Sequence, residues 1–476
     1  MTRSRLTMVA LVAAAALGLA ACGGGGSSNG NAPQATAQSV QVISSGAITG
    51  FGSVFVNGVR FETSSAAFMI NGKPGTQADL RVGHVVRIHG HRDGAGNSTA
   101  DRVDFDDLVQ GPVTSVDAAG GTLVVMGQTV LVDADTSFDD NIPGASLAGL
   151  AAGDIVEVSG MRRADGDIQA TRIEGKPAGT VFEVTGVAAA VDTAAHKLKV
   201  GALVIDYSAA TVQNFPGGQP RNGDLIEAHG NSVNASGELV ASSIELKRDD
   251  DDRGAGMQVE IEGLITRFVS ATDFDVAGKP VTTTSTTRFE NGAAADLALN
   301  VKVEAEGQVN ASGVLVATKV QFKRQGSVRI EAGVDSVDRA ANKLVVLGID
   351  VTLNQTTRVE DKGEQRVASF NLGNIAAGDF VEIRGAELRA GSNDVVASRL
   401  ERRRAEDGVR LRGIVDTVSR PGFTILGVTI QTTARTDFEG VSADDFFADA
   451  VGRIAQVQGT VSGGVFTARE VEFEDD

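Results

Sequence analysis

The sequence is short of the residues that many binding and redox chemistries need. A single cysteine, Cys22, excludes an internal disulfide, a thiolate metal cluster and a two-thiol redox pair. There is no tryptophan and one tyrosine, Tyr207. Those two side chains are the usual platforms for pyranose rings, so that mode of sugar binding is disfavoured. Bases are outnumbered, with 43 Lys and Arg against 61 Asp and Glu and a formal charge of −18. Nucleic-acid binding relies on Lys and Arg neutralising phosphates, so a nucleic-acid partner is excluded, as is a polybasic route to anionic lipid. There is no Gly-x-Ser-x-Gly elbow. Gly50-Phe51-Gly52-Ser53 lacks the Lys-Ser/Thr of a phosphate loop and precedes no helical pattern. No catalytic set emerges. The chain is expected to be non-enzymatic and to hold no cofactor and no metal.

What is present begins at the N-terminus. Arg3 and Arg5 give a positive start, and the apolar run from Leu6 to Ala20 is too short and wrongly flanked to span a membrane. Leu19-Ala20-Ala21-Cys22 and the Gly/Ser-rich stretch behind it resemble a bacterial lipobox. That resemblance implies a signal peptide over residues 1–21 and lipid attachment at Cys22, with several acyl chains giving stable anchoring. Gly23 in place of Asp favours the outer membrane, by resemblance to lipoprotein sorting in enteric bacteria. Residues 22–45 have too little apolar content to fold and read as a flexible tether.

Beyond the tether the chain repeats itself six times at a period of roughly 70–80 residues. A turn glycine recurs at Gly58, Gly127, Gly201, Gly278, Gly348 and Gly427. Asn57-Gly58 is a type I′ hairpin signal. A strand ends in Gly90, Gly160, Gly230, Gly307, Gly385 and Gly459. It opens after Gly83, Gly153, Gly223, Asn300, Gly378 and Gly452, positions read as needing a positive φ. The last strand carries Ala100, Ala170, Ala241, Ala317, Ala397 and Ala468, each followed three residues later by an apolar residue. That spacing breaks the period of two and predicts a bulge or close packing at the Ala. A corner Thr stands at Thr136, Thr211, Thr287, Thr357 and Thr436, with Ser65 as its equivalent. Polar side chains at that corner suit bonds to backbone groups.

Each unit therefore reads as three strands, a short helix or loop, then two strands. In the second unit these are 112–116, 122–126, 129–133, the loop 146–150, 154–158 and 168–174. The order matches the five-stranded Greek-key barrel of the OB type, whose closure removes exposed edges. A small open sandwich is the rival. The expected fold is all-β: six tandem OB-like barrels over 46–108, 109–176, 180–248, 257–324, 328–403 and 408–474. Asp249–Asp252 is the clearest break, dividing units 1–3 from units 4–6.

Residues 147–160 with 168–174, and the opening Gly50-Phe51-Gly52-Ser53-Val54-Phe55-Val56-Asn57-Gly58-Val59, resemble the bacterial repeat called domain of unknown function 5666. Units 2 and 5 fit best, and unit 4 departs with Asn300-Val301 in place of Gly-Asp. The resemblance implies tandem copies behind a lipoprotein signal peptide and supplies no activity.

The candidate chemistry is thin. His89 and His91 share a strand face, with Asp93 in the next turn, and two His at i, i+2 with a carboxylate can hold a metal. The slot of His89 holds Ser159, His229, Glu306, Arg384 and Gln458 in the other units, so it reads as a generic solvent-facing position. Asp133, Asp135, Asp139, Asp140 and Asn141 crowd one corner without the spacing of a calcium loop, and read as solvated. Glu157, Glu227, Glu304 and Glu382 share one slot, with Arg87 and Gln456 as exceptions, and read as the barrel exterior. Unit 1 is the oddest, carrying His84, Arg87, His89, His91 and Arg92 in an acidic chain. His89, His91 and Asp93 are thus the candidate ligand residues. The expected protein is a cell-envelope scaffold or interaction module, held in the outer membrane through Cys22 on its periplasmic face or at the cell surface. Its expected partners are the membrane and an envelope protein or glycan. The alternative is a ligand-binding protein for a glycan, peptide or divalent cation.

Overall fold

The computed structural model describes residues 39–247, 253–323, 326–389, 392–405 and 408–474. Cys22, the leader, the tether up to residue 38 and Asp249–Asp252 lie outside the described residues, whereas residues 40–45, read as the end of the tether, belong to the first strand of repeat 1, Val40–Phe51. Each repeat closes on itself. In repeat 2 the first strand (Val109–Asp117) pairs antiparallel with the second (Thr122–Val125), and the second with the third (Gln128–Leu131). The third pairs parallel with the last (Ile168–Gly175), which pairs antiparallel with the fourth (Ile155–Arg162), and the fourth returns to the first. The other five repeats make the same circuit, each with a parallel pairing of third and last strands. This is the expected OB-type order.

The repeated residues explain why the circuit recurs. Asn57 and Gly58 take φ 53° and 74°, the left-handed pair that a type I′ turn needs. Asn300 sits at φ 64° where other repeats use glycine, so the opening position does require the left-handed region. The glycine expected to end the fourth strand instead sits inside it, directly opposite the conserved-slot Ala: Gly90 faces Ala100, Gly160 faces Ala170 and Gly385 faces Ala397. The register slips at that point in every repeat, so the last strand carries the bulge that the spacing predicted. A Cβ on Gly160 would lie 2.4 Å from the Gln169 carbonyl, and one on Gly307 2.0 Å from that of Val316. Glycine is there because the bulged backbone fills the space.

The corner Thr ties to the same point. Thr136 Oγ1 donates to the Ala170 carbonyl at 2.9 Å and accepts from the Asp133 amide at 3.1 Å. Thr287, Thr357 and Thr436 donate likewise to the carbonyls of Ala317, Ala397 and Ala468. After the corner comes a short segment the sequence reading left out, such as Ser137–Phe138 or Arg358–Asp361, which pairs parallel with the last strand beyond the bulge. The short helix before the fourth strand is a single 3-10 turn in repeats 1, 2, 4 and 5, as at Leu147–Gly149, with Pro143–Ala145 as a second turn in repeat 2. In repeat 6 it is an α-helix, Ala443–Asp449, capped by Ser442 and anchored by the fully buried Phe446.

The barrels then join in pairs through their first strands. Repeats 1 and 4 pair parallel, with Val42 opposite Gln258 and Ser45 opposite Ile261. Repeats 2 and 3 pair antiparallel at Val109–Val184, and repeats 5 and 6 at Ile330–Leu411. Each pair forms one 12-stranded sheet. The second strand covers only the far end of the first, as Val54–Val56 does for Ile48–Phe51, which leaves an open edge for the neighbour. The division of units 1–3 from units 4–6 is therefore one of sequence and not of space, because repeat 4 pairs back to repeat 1. Repeats 2 and 3 share one apolar core, and so do repeats 5 and 6.

Candidate functional site

The outer faces of the barrels become the site. On the fourth strand Val156, Ile226, Val303 and Val381 point inward and are fully buried, as period-two alternation requires. Their neighbours Glu157, Glu227, Glu304 and Glu382 do face outward from the barrel. They are nonetheless only 2–7% exposed. Each is held by a base at the end of the last strand or just after it: Lys176 on Glu157 at 2.8 Å, Lys323 on Glu304 at 2.7 Å, Arg403 on Glu382 at 2.7 Å, and Lys247 in close contact with Glu227. This basic slot is visible in the sequence as Lys176, Lys247, Lys323 and Arg403, and the sequence reading missed it.

At the junction of repeats 1 and 2, His84 is 2% exposed and stacks on Phe105 at 4.1 Å. Its Nε2 lies 3.3 Å from Glu174 and 3.8 Å from Glu157. Arg172 contacts Glu174 at 2.6 Å, donates to the Val82 carbonyl at 3.1 Å, and reaches Glu360 of repeat 5 at 3.4 Å. Burial pushes the His84 pKa down in spite of its acidic neighbours. Burial raises the Glu174 carboxyl, but the His84 bond and the charges of Arg172, His84 and Lys176 outweigh it and leave the group well below the usual range.

A second histidine cluster lies where repeat 3 meets the linker after repeat 1. His229 Nε2 is 2.7 Å from Glu227 and its Nδ1 is 3.5 Å from Glu183. Lys247 bridges Glu227 to Asp106, the latter at 3.2 Å. Asp107 is fully buried and bonds Asn71 through one oxygen at 2.8 Å. Burial, then the charges of Asp107, Glu227 and Asp106, push the Glu183 carboxyl up to about 10. Burial and Glu157 likewise hold Asp107 well above its ordinary value.

The acidic corner of repeat 2 is not a solvated loop but a clasp on repeat 5. Arg358 donates to the Asp135 carbonyl at 2.8 Å, Lys362 to that of Phe138 at 2.7 Å and Arg399 to that of Thr136 at 3.1 Å, while Arg366 pairs with Asp140. The slot of His89 is not generically solvent-facing either. In repeat 2 it holds Ser159, 2% exposed, whose hydroxyl accepts from the Val85 amide of repeat 1 at 2.9 Å.

The sequence-chosen candidates do not converge on one point. His91 pairs with Asp101 at 3.3 Å on a half-exposed surface. Asp93 is used by its own turn, accepting from the Ala95 and Asn97 amides at 2.9 and 2.8 Å. His89 sits mid-strand opposite Ile43 and Arg102. Among the described residues, groups of three ligating side chains that do converge are His84–Glu157–Glu174, Glu183–Glu227–His229 and Glu439–Glu470–Glu472. Arg92 of the same region lines a cleft of about 1380 Å³ between repeats 1, 4 and 5, which also presents Phe51, Phe55, Arg60, Asn97 and Gln355. Arg92 binds Glu260 of repeat 4 at 2.9 Å. Among the described residues, no helix is long and apolar enough to cross a membrane.

No curated protein matches the chain. A solved structure titled "drosophila Unr CSD456" aligns over 46% of this chain and 98% of its own, at 15% identity and a TM-score of 0.13, too loose a superposition to bear on the fold. The model of the family described as "Domain of unknown function (DUF5666)" matches residues 42–104, 110–174, 255–321, 331–401 and 412–472. Residues 182–246 close the same barrel between the second and third of these matches. The chain belongs to the DUF5666 family, as a tandem array of its repeats.

Proposed function

We propose that the protein is a non-enzymatic scaffold or interaction module of the cell envelope, anchored through lipidated Cys22. The observation that carries this reading is the use of the barrels' outer charged faces. The repeated Glu–Lys or Glu–Arg slot is closed by a base of its own repeat, and the charged groups beside it fasten one barrel to another, as His84 does to Glu174 and Arg172 to Glu360, in place of a cleft that gathers an acid, a base and a nucleophile. The lipobox at Leu19–Cys22 and the following Gly/Ser run support the anchor and the outer-membrane location. Replacing Cys22 by Ala tests the anchor. The variant is expected in the soluble fraction of lysed cells, and its retention with the membrane would overturn this reading.

A second reading, binding of a peptide or glycan, is favoured by the 1380 Å³ cleft. A photo-crosslinking residue at Phe55 or Gln355 in intact cells, compared with one at the exposed Val269, tests it. Adducts specific to the cleft positions support binding there, and equal labelling at all three removes the reason for the second reading.

A further inference from the structure

The two buried histidine clusters differ in how their charge is balanced. Around His84, the carboxylates Glu157 and Glu174 are met by Lys176 and Arg172. Around His229, the carboxylates Glu183, Glu227 and Asp107 are each 0–3% exposed. Among the described residues, the cation in direct contact is Lys247, on Glu227, and it is shared with Asp106. Lys176, the next base along the seam, is already taken by Glu157 and Glu174 at 2.8 and 3.0 Å. Removing several carboxylates from water with too few partners is unfavourable, and a bound cation is one way such a site is completed.

The atoms are placed accordingly. Among the described residues, Glu183 Oε1 and Asp107 Oδ1 are buried with no hydrogen-bond partner. Ligating atoms of Glu183, Glu227 and His229 lie within 4.8 Å of one another. An imidazole with carboxylate oxygens suits a borderline divalent ion and not calcium or magnesium, which take all-oxygen shells. All three residues belong to repeat 3, on its first strand (Phe182–Asp192) and fourth strand (Leu225–Val233). Asp107 belongs to the linker between repeats 1 and 2.

We propose that Glu183, Glu227 and His229 bind one divalent transition-metal ion of the zinc type, with Asp107 completing the acidic shell, so that the ion fastens repeat 3 to the linker between repeats 1 and 2. The site stands independently of the anchoring and scaffold reading. The test is calorimetric titration of the metal-stripped full chain with Zn²⁺, with bound metal counted after dialysis. One tight zinc per chain is expected. Glu183→Gln and His229→Ala should each weaken it by about tenfold or more. His84→Ala and the double variant His89→Ala/His91→Ala should leave it unchanged. Absence of tight zinc binding, retention in His229→Ala, or loss in either control variant would overturn the proposal. Should the ligand variants not fold, X-ray absorption of the zinc-loaded wild-type chain decides the matter. A shell with one imidazole and oxygen ligands is expected, and a shell with two imidazoles would contradict it.

Discussion

The His84 and His229 clusters use the same ingredients, a histidine and two glutamates on outer barrel faces, and reach different ends. The first reaches charge balance through its own bases: Arg172 touches Glu174 and Glu360, and Lys176 touches Glu157 and Glu174. The second gathers Glu183, Glu227 and Asp107, where among the described residues Lys247 is the base in contact, shared between Glu227 and Asp106. Glu157 and Glu227 occupy the same place in their repeats, as do Lys176 and Lys247. What distinguishes the clusters is the last-strand slot two residues after the Ala, which holds Arg172 in repeat 2 and Ser243 in repeat 3, together with Glu183 and Asp107 beside His229. A repeated slot supplies the fastening, and local substitutions decide whether the fastening is complete or leaves room for a ligand.

The strongest way to break the comparison is Arg172→Met. It leaves Glu174 and Glu360 without their buried partner and removes the bond to Val82. A loss of about 3–5 kcal/mol in urea unfolding is expected, with no recovery on adding zinc. Lys247→Met should cost about 2 kcal/mol in the metal-free chain, and zinc should restore most of it, because the ion takes over the neutralisation of Glu227. Recovery of both variants, or of neither, would erase the distinction.

The pH response of the metal-free chain sharpens it further. His84 and Glu174 are held below their ordinary values, so their stabilisation is present above the unfolded pKa and is lost as pH falls, beginning below about 6.5 for His84. Glu183 is raised to about 10, so its contribution is present below 4.5 and is lost as pH rises above that. Hydrogen exchange at pH 7 and pH 5, corrected for intrinsic rates, should show the His84 seam loosening at the lower pH while the His229 seam tightens. Movement in the same direction at both would contradict the assigned environments. The smallest effect is expected for His91→Ala, within about 0.5 kcal/mol, as befits a half-exposed pair with Asp101.

The barrel itself was legible because its constraints are steric and repeat with the chain. Gly160 facing Ala170, Thr136 reaching the Ala170 carbonyl, and Asn300 in the left-handed region each leave a fixed residue type at a fixed place. The assembly was not legible, for the same physical reason in every case. A glutamate facing out of a barrel is the same letter whether water or another barrel lies over it, so Glu157, which His84 of repeat 1 approaches, read only as barrel exterior. The pairing of repeat 1 with repeat 4 left no trace either, because backbone pairing along Val42–Ser45 asks only for an open edge. His89 and His91 drew attention by their spacing. Glu183 and His229 lie far apart in sequence and meet only because the first and fourth strands of repeat 3 run side by side, with Glu183 opposite His229.

The central claim is that the six barrels form one body through buried charged faces and first-strand pairing. Small-angle X-ray scattering on the soluble chain from residue 39 onward tests it most directly. A compact body of this length should give a radius of gyration of about 22–26 Å, the upper figure allowing for the clefts. A value of about 45 Å or more, as for barrels strung out in chain order, would separate repeat 1 from repeat 4 and contradict the account.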